Sequence, residues 1–286
     1  MNELTLPKAQ RAPIKLPRQS NRAENVTNTK TYLSVAHTGG QGKTTLAQML
    51  YSMLRREGHK YKLVSADFLD ESSQSKLGKL FPEKVEELGI GANLVSTKLE
   101  NNANAPLRYW DRFGEILLAG GSVVDVGANV VSQLLQWGRH RRISQVLRHR
   151  NAPEIDIFLT TKAERHSIEN AAHLVHEMVE QDAFPIGNVI VVCNEVGGPF
   201  EPNQVASAIS RVAPTRNIHY MALPRCTSEL WESMEKTCTS VDDVLTLSED
   251  EICEKFGVDV WTASAGLGDL HEWTKTVYAN LREAGI

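Results

Sequence analysis

The run His37-Thr38-Gly39-Gly40-Gln41-Gly42-Lys43-Thr44-Thr45 constrains this chain more than any other stretch. An apolar, β-rich segment, Tyr32 to Ala36, leads into it, and the helix-like segment Leu46 to Arg56 follows. A strand, a glycine-rich loop and a helix opening with Gly-Lys-Thr form the context that a phosphate-binding P-loop requires. Glycines let the backbone curl until several N–H groups face one hollow, and the helix N-terminus adds positive potential there. Gly39, Gly40, Gln41, Gly42, Lys43, Thr44 and Thr45 are therefore the candidate cradle. In it Lys43 reaches the outer phosphates and the Thr44 hydroxyl ligates Mg²⁺. The general pattern asks for glycine where this chain has His37.

Two carboxylates fall at positions that such a loop needs. The strand-like run Tyr61 to Ala66 ends at Asp67, and ligands collect at the C-terminal ends of strands in open α/β sheets. The stretch Gly121 to Asn129 reads as a buried strand ending in Asp125, with Gly127 two residues on. There a strand-tip carboxylate holds Mg²⁺, commonly through water, and a glycine N–H can sense a γ-phosphate. The alternation continues with a strand over Glu154 to Thr160 and an amphipathic helix over Glu164 to Glu180. A continuous apolar strand, Asn188 to Cys193, then ends at Asn194. A last strand, Ile218 to Leu223, ends at Pro224. Alternating strands and helices with short loops predict an α/β fold, a mostly parallel sheet with helices on both faces.

The compact form Thr38-Gly39-Gly40-Gln41-Gly42-Lys43-Thr44-Thr45 resembles the deviant P-loop of the ParA/MinD family of ATPases, whose pattern is Lys-Gly-Gly-x-Gly-Lys-Thr. The run Asp125-Val126-Gly127-Ala128 is similar to the Asp-x-Gly-Ala of that family's plasmid-partition, plasmid-stability and conjugative-transfer branch. The resemblance spans about residues 31–230 and implies a Mg·ATP-dependent switch that dimerises around nucleotide and positions plasmid DNA, a transfer complex or another cargo. It implies that Asp67 and Asp125 serve Mg²⁺ and the attacking water, that Asn194 reads the adenine edge, and that Pro224 lies where the chain wraps the base. One departure stands out. The family's first lysine, which reaches the partner subunit's nucleotide, falls at Thr38, whose short neutral side chain cannot place charge on a distant phosphate. A second departure is Leu69, where MinD-like chains carry another aspartate; Asp70 and Glu71 follow it.

Composition bounds the rest. With 286 residues, 41% hydrophobic and 23% charged, the chain can bury a sizeable core, and its net charge of −4 argues against coating nucleic acid with the whole surface. Cys193, Cys226, Cys238 and Cys253 form no C-x-x-C pair, which suits a reducing cytoplasm and no zinc or disulfide framework. No run approaches the roughly 18 apolar residues needed to span a bilayer. Residues 1–30 read as a flexible basic tail, open to DNA, acidic lipid or a partner protein, ahead of a domain over 31–286 that ends in a helical segment. Arg139, Arg141, Arg142, Arg148 and Arg150 surround Ile143, Val146 and Leu147, so one helix could bury the apolar stripe and offer a basic face to DNA or to solvent. Glu83, Lys84, Glu86 and Glu87 read as a solvated helix face, and Asn101 to Pro106 as a loop. The aromatics around Trp110 and Phe113 read as core or subunit interface. His271 to Glu283 reads as a terminal helix that packs on the domain, since its basic residues are too few for membrane docking.

Two functional classes remain from sequence: a ParA-like ATPase, and a nucleotide-binding adaptor with little or no hydrolysis that acts through protein contacts. Thr38 and Leu69 favour the second. Asn194-Glu195-Val196-Gly197 is no guanine-reading motif, and no substrate motif for a small-molecule kinase is visible.

Overall fold

Strands that are apolar on both sides need cover on both faces, and the chain supplies it. The computed structural model describes residues 29–67, 74–88, 105–180, 182–201, 203–213 and 218–286, excluding the side chains of 105–109 and 180. Leu69, Asp70, Glu71, Asn101 to Asn104 and residues 1–28 of the tail lie outside the described residues. Seven strands form one sheet: β1 (Thr31–Val35), β2 (Lys62–Ala66), β3 (Val85–Glu87), β4 (Ser122–Val126), β5 (Ile155–Lys162), β6 (Ile186–Asn194) and β7 (Ile218–Leu223). Their order is β3-β2-β4-β1-β5-β6-β7, and every pairing is parallel. On one side of β1 the chain builds out to β3 and returns to insert β4 beside β1, then crosses to the other side at β5. β1 therefore lies at the switch point, where a crevice opens at the strands' C-terminal ends.

Neighbouring residues along each strand face opposite layers. Leu33, Val124, Ile157 and Val191 look toward α3 (Ala105–Ala119), α4 (Val131–His140), α5 (Ile143–His149), α6 (Arg165–Glu180) and α7 (Gln204–Ser210). Tyr32, Val123, Phe158 and Ile190 look toward α1 (Lys43–Arg56), α2 (Lys76–Leu80), α8 (Trp231–Thr237), α9 (Val241–Val244), α10 (Glu249–Phe256) and α11 (Val260–Glu283). Trp110 and Phe113 are buried in the first layer, as the core reading expected. Below the sheet's entry edge, buried Asp156 accepts from Lys30 Nζ at 3.0 Å and from the Asn188 N–H at 2.7 Å. Gly121 N–H donates to Thr29 O at 2.8 Å, so residues 29 and 30 are fastened to the sheet.

Four expectations need correction. Glu86 and Glu87 lie in edge strand β3 and not on a helix; Glu87 accepts from the Ser75 N–H and hydroxyl, and Leu88 N–H extends the ladder to Ser65 O. The charge run hid the strand because its partners are distant in sequence. Ala105 and Pro106, expected in a loop, open helix α3. The basic stretch is two helices and not one, with Arg142 between α4 and α5 in left-handed conformation (φ 52°). Ile143 and Leu147 are buried there, but Val146 is 40% exposed. The terminal helix begins at Val260, eleven residues before the expected start, capped by Asp259 on the N–H groups of Trp261 and Thr262. Its first turns are rich in small residues because Gly266 passes close to Leu230 and Ser228, a contact no periodicity announces.

Candidate functional site

The loop between β1 and α1 has the backbone that its glycines permit. Gly40 (φ 69°) and Gly42 (φ 93°) take left-handed conformations, and Gly42 stands at the N-cap of α1 with no side-chain cap bond. The first N–H groups of α1 are thus left for a ligand, which is the arrangement that favours an anion. A side chain at Gly42 would run into Asn194 Nδ2, so glycine is required there twice over. The loop is held from outside. Asn194 Nδ2 donates to Gln41 O (2.9 Å), Ser167 Oγ to Gln41 Oε1 (2.6 Å), and Gln41 Nε2 to Thr38 Oγ1 (2.9 Å). From β1, Ser34 Oγ donates to Lys43 O at 3.0 Å.

Asp125 sits beside this loop because β4 pairs with β1 and β2, placing it in register with Ser34 and Ser65. Thr44 Oγ1 donates to Asp125 Oδ2 at 2.6 Å, while Asp125 Oδ1 is buried with no hydrogen-bond partner. Burial pushes the Asp125 carboxyl up to about 6, against the opposing pull of Thr44 and Lys43. Burial likewise pulls Lys43 down, opposed by the charges of Asp125 and Asp67. Asp67 packs against Gly127, leaving no room for a side chain at that glycine. Gly127 N–H donates to Ala66 O at 2.8 Å, closing the β2–β4 ladder rather than pointing free into the site. Thr44, Asp67 and Asp125 offer hard oxygen donors, and an orphaned buried carboxylate oxygen is what a Mg²⁺ ion would relieve. The residues present fit that ion.

The other candidates are more scattered. Gly39 is unobstructed, and Thr45 lies beside Thr44 at a small cleft bordered by Lys76, Trp231 and Met234. Asn194 ends β6 opposite Leu223 and joins the site, but both ends of its amide are engaged: Nδ2 on Gln41 O and Oδ1 by the Val196 N–H at 3.1 Å. Pro224 follows β7, and its carbonyl accepts from Trp273 Nε1 at 2.8 Å, which fastens that loop to α11. Among the basic residues, Arg141 pairs with Asp111 (2.9 Å) and Arg148 with Asp182 (2.8 Å). Arg139, Arg142 and Arg150 are exposed and have no ion pair among the described residues. The whole basic cluster lies on the α4–α5 corner.

Sequence reasoning missed Lys162 and Ser167. Lys162 ends β5, and its ammonium lies 3.9 Å from where a Cβ on Gly40 would stand. Ser167 on α6 takes up the Lys162 N–H (3.0 Å) as well as holding Gln41. The one available signal was a lysine closing a strand of a P-loop sheet.

A glycine nest after the central strand, a capless helix start, and Thr44 of α1 bonded to Asp125 of the neighbouring β4 are features of an α/β fold of the P-loop NTPase type. No protein-family model matches the chain, and no curated protein matches it. Solved structures that match are the MinC:MinD cell division protein complex of Aquifex aeolicus (14% identity, TM-score 0.42, covering 86% of this chain and 96% of that one) and the MinD cell division protein of the same organism (13%, 0.43, 86% and 98%). A third is a plasmid partition protein of Borrelia burgdorferi, described as putative and bound to AMPPNP (12%, 0.39, 86% and 98%). These neighbours are of the MinD and partition type that the loop resembles. Likeness at this level concerns the fold and carries no weight for function.

Proposed function

We propose that this chain is a ParA/MinD-like switch that binds Mg·ATP, acts as an ATPase, and positions plasmid DNA, a transfer complex or another cargo. The observation that carries the reading is the Thr44–Asp125 hydrogen bond of 2.6 Å, with Asp125 Oδ1 orphaned beside the nest that Gly40 and Gly42 form. Lys43 supplies positive charge at the floor of the nest, and its buried setting strengthens its pull on a phosphate. Asp67, beside Asp125 and Gly127, would take a hydrogen bond from a water at the outer phosphate. Bound Mg²⁺ would neutralise charge on the phosphate oxygens, held by Thr44 and Asp125. The homodimer and the DNA contact rest on the family resemblance, with the exposed Arg139, Arg142 and Arg150, which have no ion pair among the described residues, in support of the second.

The adaptor reading, with nucleotide bound and little turned over, is favoured by one observation. Thr38 Oγ1 is occupied within its own loop by Gln41 Nε2, so the position that carries a trans-acting lysine in the resembling family is folded inward here. Lys162 Nζ, 3.9 Å from where a Cβ on Gly40 would stand, puts a cation beside the loop instead.

ATP binding and turnover in wild type, Lys43→Ala, Lys162→Ala and Thr38→Lys, with and without DNA, test both readings. Lys43→Ala is expected to lose at least about 100-fold in affinity, as fits loss of a charged contact worth roughly 3 kcal/mol. Lys162→Ala is expected to lose about tenfold. DNA-stimulated turnover in wild type supports the ATPase; tight binding with turnover appearing only in Thr38→Lys supports the adaptor. No ATP binding in wild type would sink both.

A further inference from the structure

His37, at the position where the general P-loop pattern has glycine, is not part of the phosphate cradle. Its ring turns the other way, toward α6. There Glu177 Oε2 lies 3.3 Å from His37 Nε2, and His173 Nε2 lies 3.9 Å from the same carboxylate. The three ligand atoms lie within 4.8 Å of one another, and this is the one such trio of His, Cys or carboxylate side chains among the described residues. His37 Nε2 is buried, and its approach to Glu177 Oε2 is an electrostatic contact that falls short of good hydrogen-bond geometry. The His37 and His173 rings stack at 5.8 Å between centroids, 19° from parallel, so both present ring edges toward Glu177.

The geometry has a simple reading. Metal–nitrogen and metal–carboxylate bonds of about 2.0–2.2 Å at tetrahedral angles place ligand atoms roughly 3.3 Å apart. The His37–Glu177 separation already has that value, and His173 needs only to close in by a rotation of an exposed side chain. His173 and Glu177 are four residues apart on α6, so one helix face offers both, and β1 delivers the third. We propose that His37, His173 and Glu177 bind a first-row divalent transition-metal ion of the Zn²⁺ class, with the remaining coordination position open to solvent. Two imidazoles and one carboxylate select such an ion over Mg²⁺ or Ca²⁺, which prefer all-oxygen sites. The bound ion ties α6 to the first residue of the phosphate loop, alongside the Ser167–Gln41 bond that joins the same two elements. The site is separate from the Thr44–Asp125 pair and does not depend on the nucleotide reading.

The test is Zn²⁺ titration of the chelator-stripped full chain against a competing indicator, with no nucleotide present, repeated with Co²⁺ for its visible spectrum. One Zn²⁺ per chain is expected, with a Co²⁺ spectrum of nitrogen and oxygen ligation and no thiolate charge-transfer band. Loss of partners that merely orient a metal ligand costs about 10–100-fold in affinity, so His173→Ala and Glu177→Gln should each weaken Zn²⁺ at least about 100-fold. His166→Ala, an exposed histidine on the same helix but outside the trio, should leave Zn²⁺ affinity unchanged. His173 has a side chain 64% exposed, so its removal leaves the core intact, and a matched far-UV spectrum checks this. Absence of stoichiometric Zn²⁺ in wild type, equal affinity in His173→Ala and Glu177→Gln, or a thiolate band would overturn the proposal.

Discussion

Asp125 carries a cost that the free protein bears and that the proposed Mg²⁺ would relieve. Its carboxyl is buried, has one oxygen without a partner, and titrates near 6 against 3.8 for an ordinary aspartate. Between those values the folded state holds a proton that the unfolded chain has released. Stability from this group is therefore full below about pH 4 and is lost as pH rises through about 6. Two units correspond to a few kcal/mol, so in EDTA wild type should lose on the order of 2 kcal/mol across that window beyond whatever Asp125→Asn loses. Urea unfolding of both proteins at a series of pH values reads the difference, and parallel curves would refute the assignment. Lys43 faces the mirror problem, since burial disfavours its charge while Asp125 and Asp67 support it. Each of these residues is poorly satisfied alone, which is what the proposed phosphate and metal would relieve.

At the scale of elements, α11 does more than close the second layer. Trp273 packs edge-on against Trp231 at 5.2 Å and donates to Pro224 O, and Asn280 Nδ2 donates to Ala222 O at 2.8 Å. The strand end and loop that follow β7 are thus held by the last helix of the chain. Trp273→Ala should cost about 3–5 kcal/mol through lost packing. Trp273→Phe keeps most of the volume and drops the hydrogen bond, costing about 1 kcal/mol. If Pro224 borders the bound base, Trp273→Phe should also weaken ATP several-fold while Lys43 and Asp125 stay untouched. Unchanged ATP affinity in a folded Trp273→Phe protein would remove the loop from the binding site.

Over the whole molecule, the candidate nucleotide site and the basic corner are built on different elements. Lys43, Thr44, Asp67 and Asp125 gather at the C-terminal ends of β1, β2 and β4, while the arginines lie on the α4–α5 corner. Among the described residues no helix is long and apolar enough to cross a membrane. Arg141 and Arg148 are engaged with Asp111 and Asp182, so the DNA reading rests on Arg139, Arg142 and Arg150. Replacing those three with glutamine should reduce retention on duplex DNA and lower the slope of log affinity against log salt by about 3, one unit per phosphate contact. An unchanged slope would leave the patch merely solvated.

Sequence determined the loop, six of the seven strands in their order, and the candidates Lys43, Thr44, Asp67 and Asp125, because each belongs to a local pattern. Glycine spacing, apolar runs and a carboxylate at a strand's end are written within a dozen residues. The tertiary structure decided what such patterns cannot hold. It placed β4 beside β1, so that Thr44 meets Asp125 across 81 positions. It put Lys162 over Gly40, engaged both ends of the Asn194 amide, and turned the charge run at Glu86 and Glu87 into an edge strand. It also gathered His37, His173 and Glu177, which share no sequence motif. The physical reason is the same in each case. A side chain's partners across a parallel sheet are set by strand order and register, and neither is written in the spacing of residues along one strand.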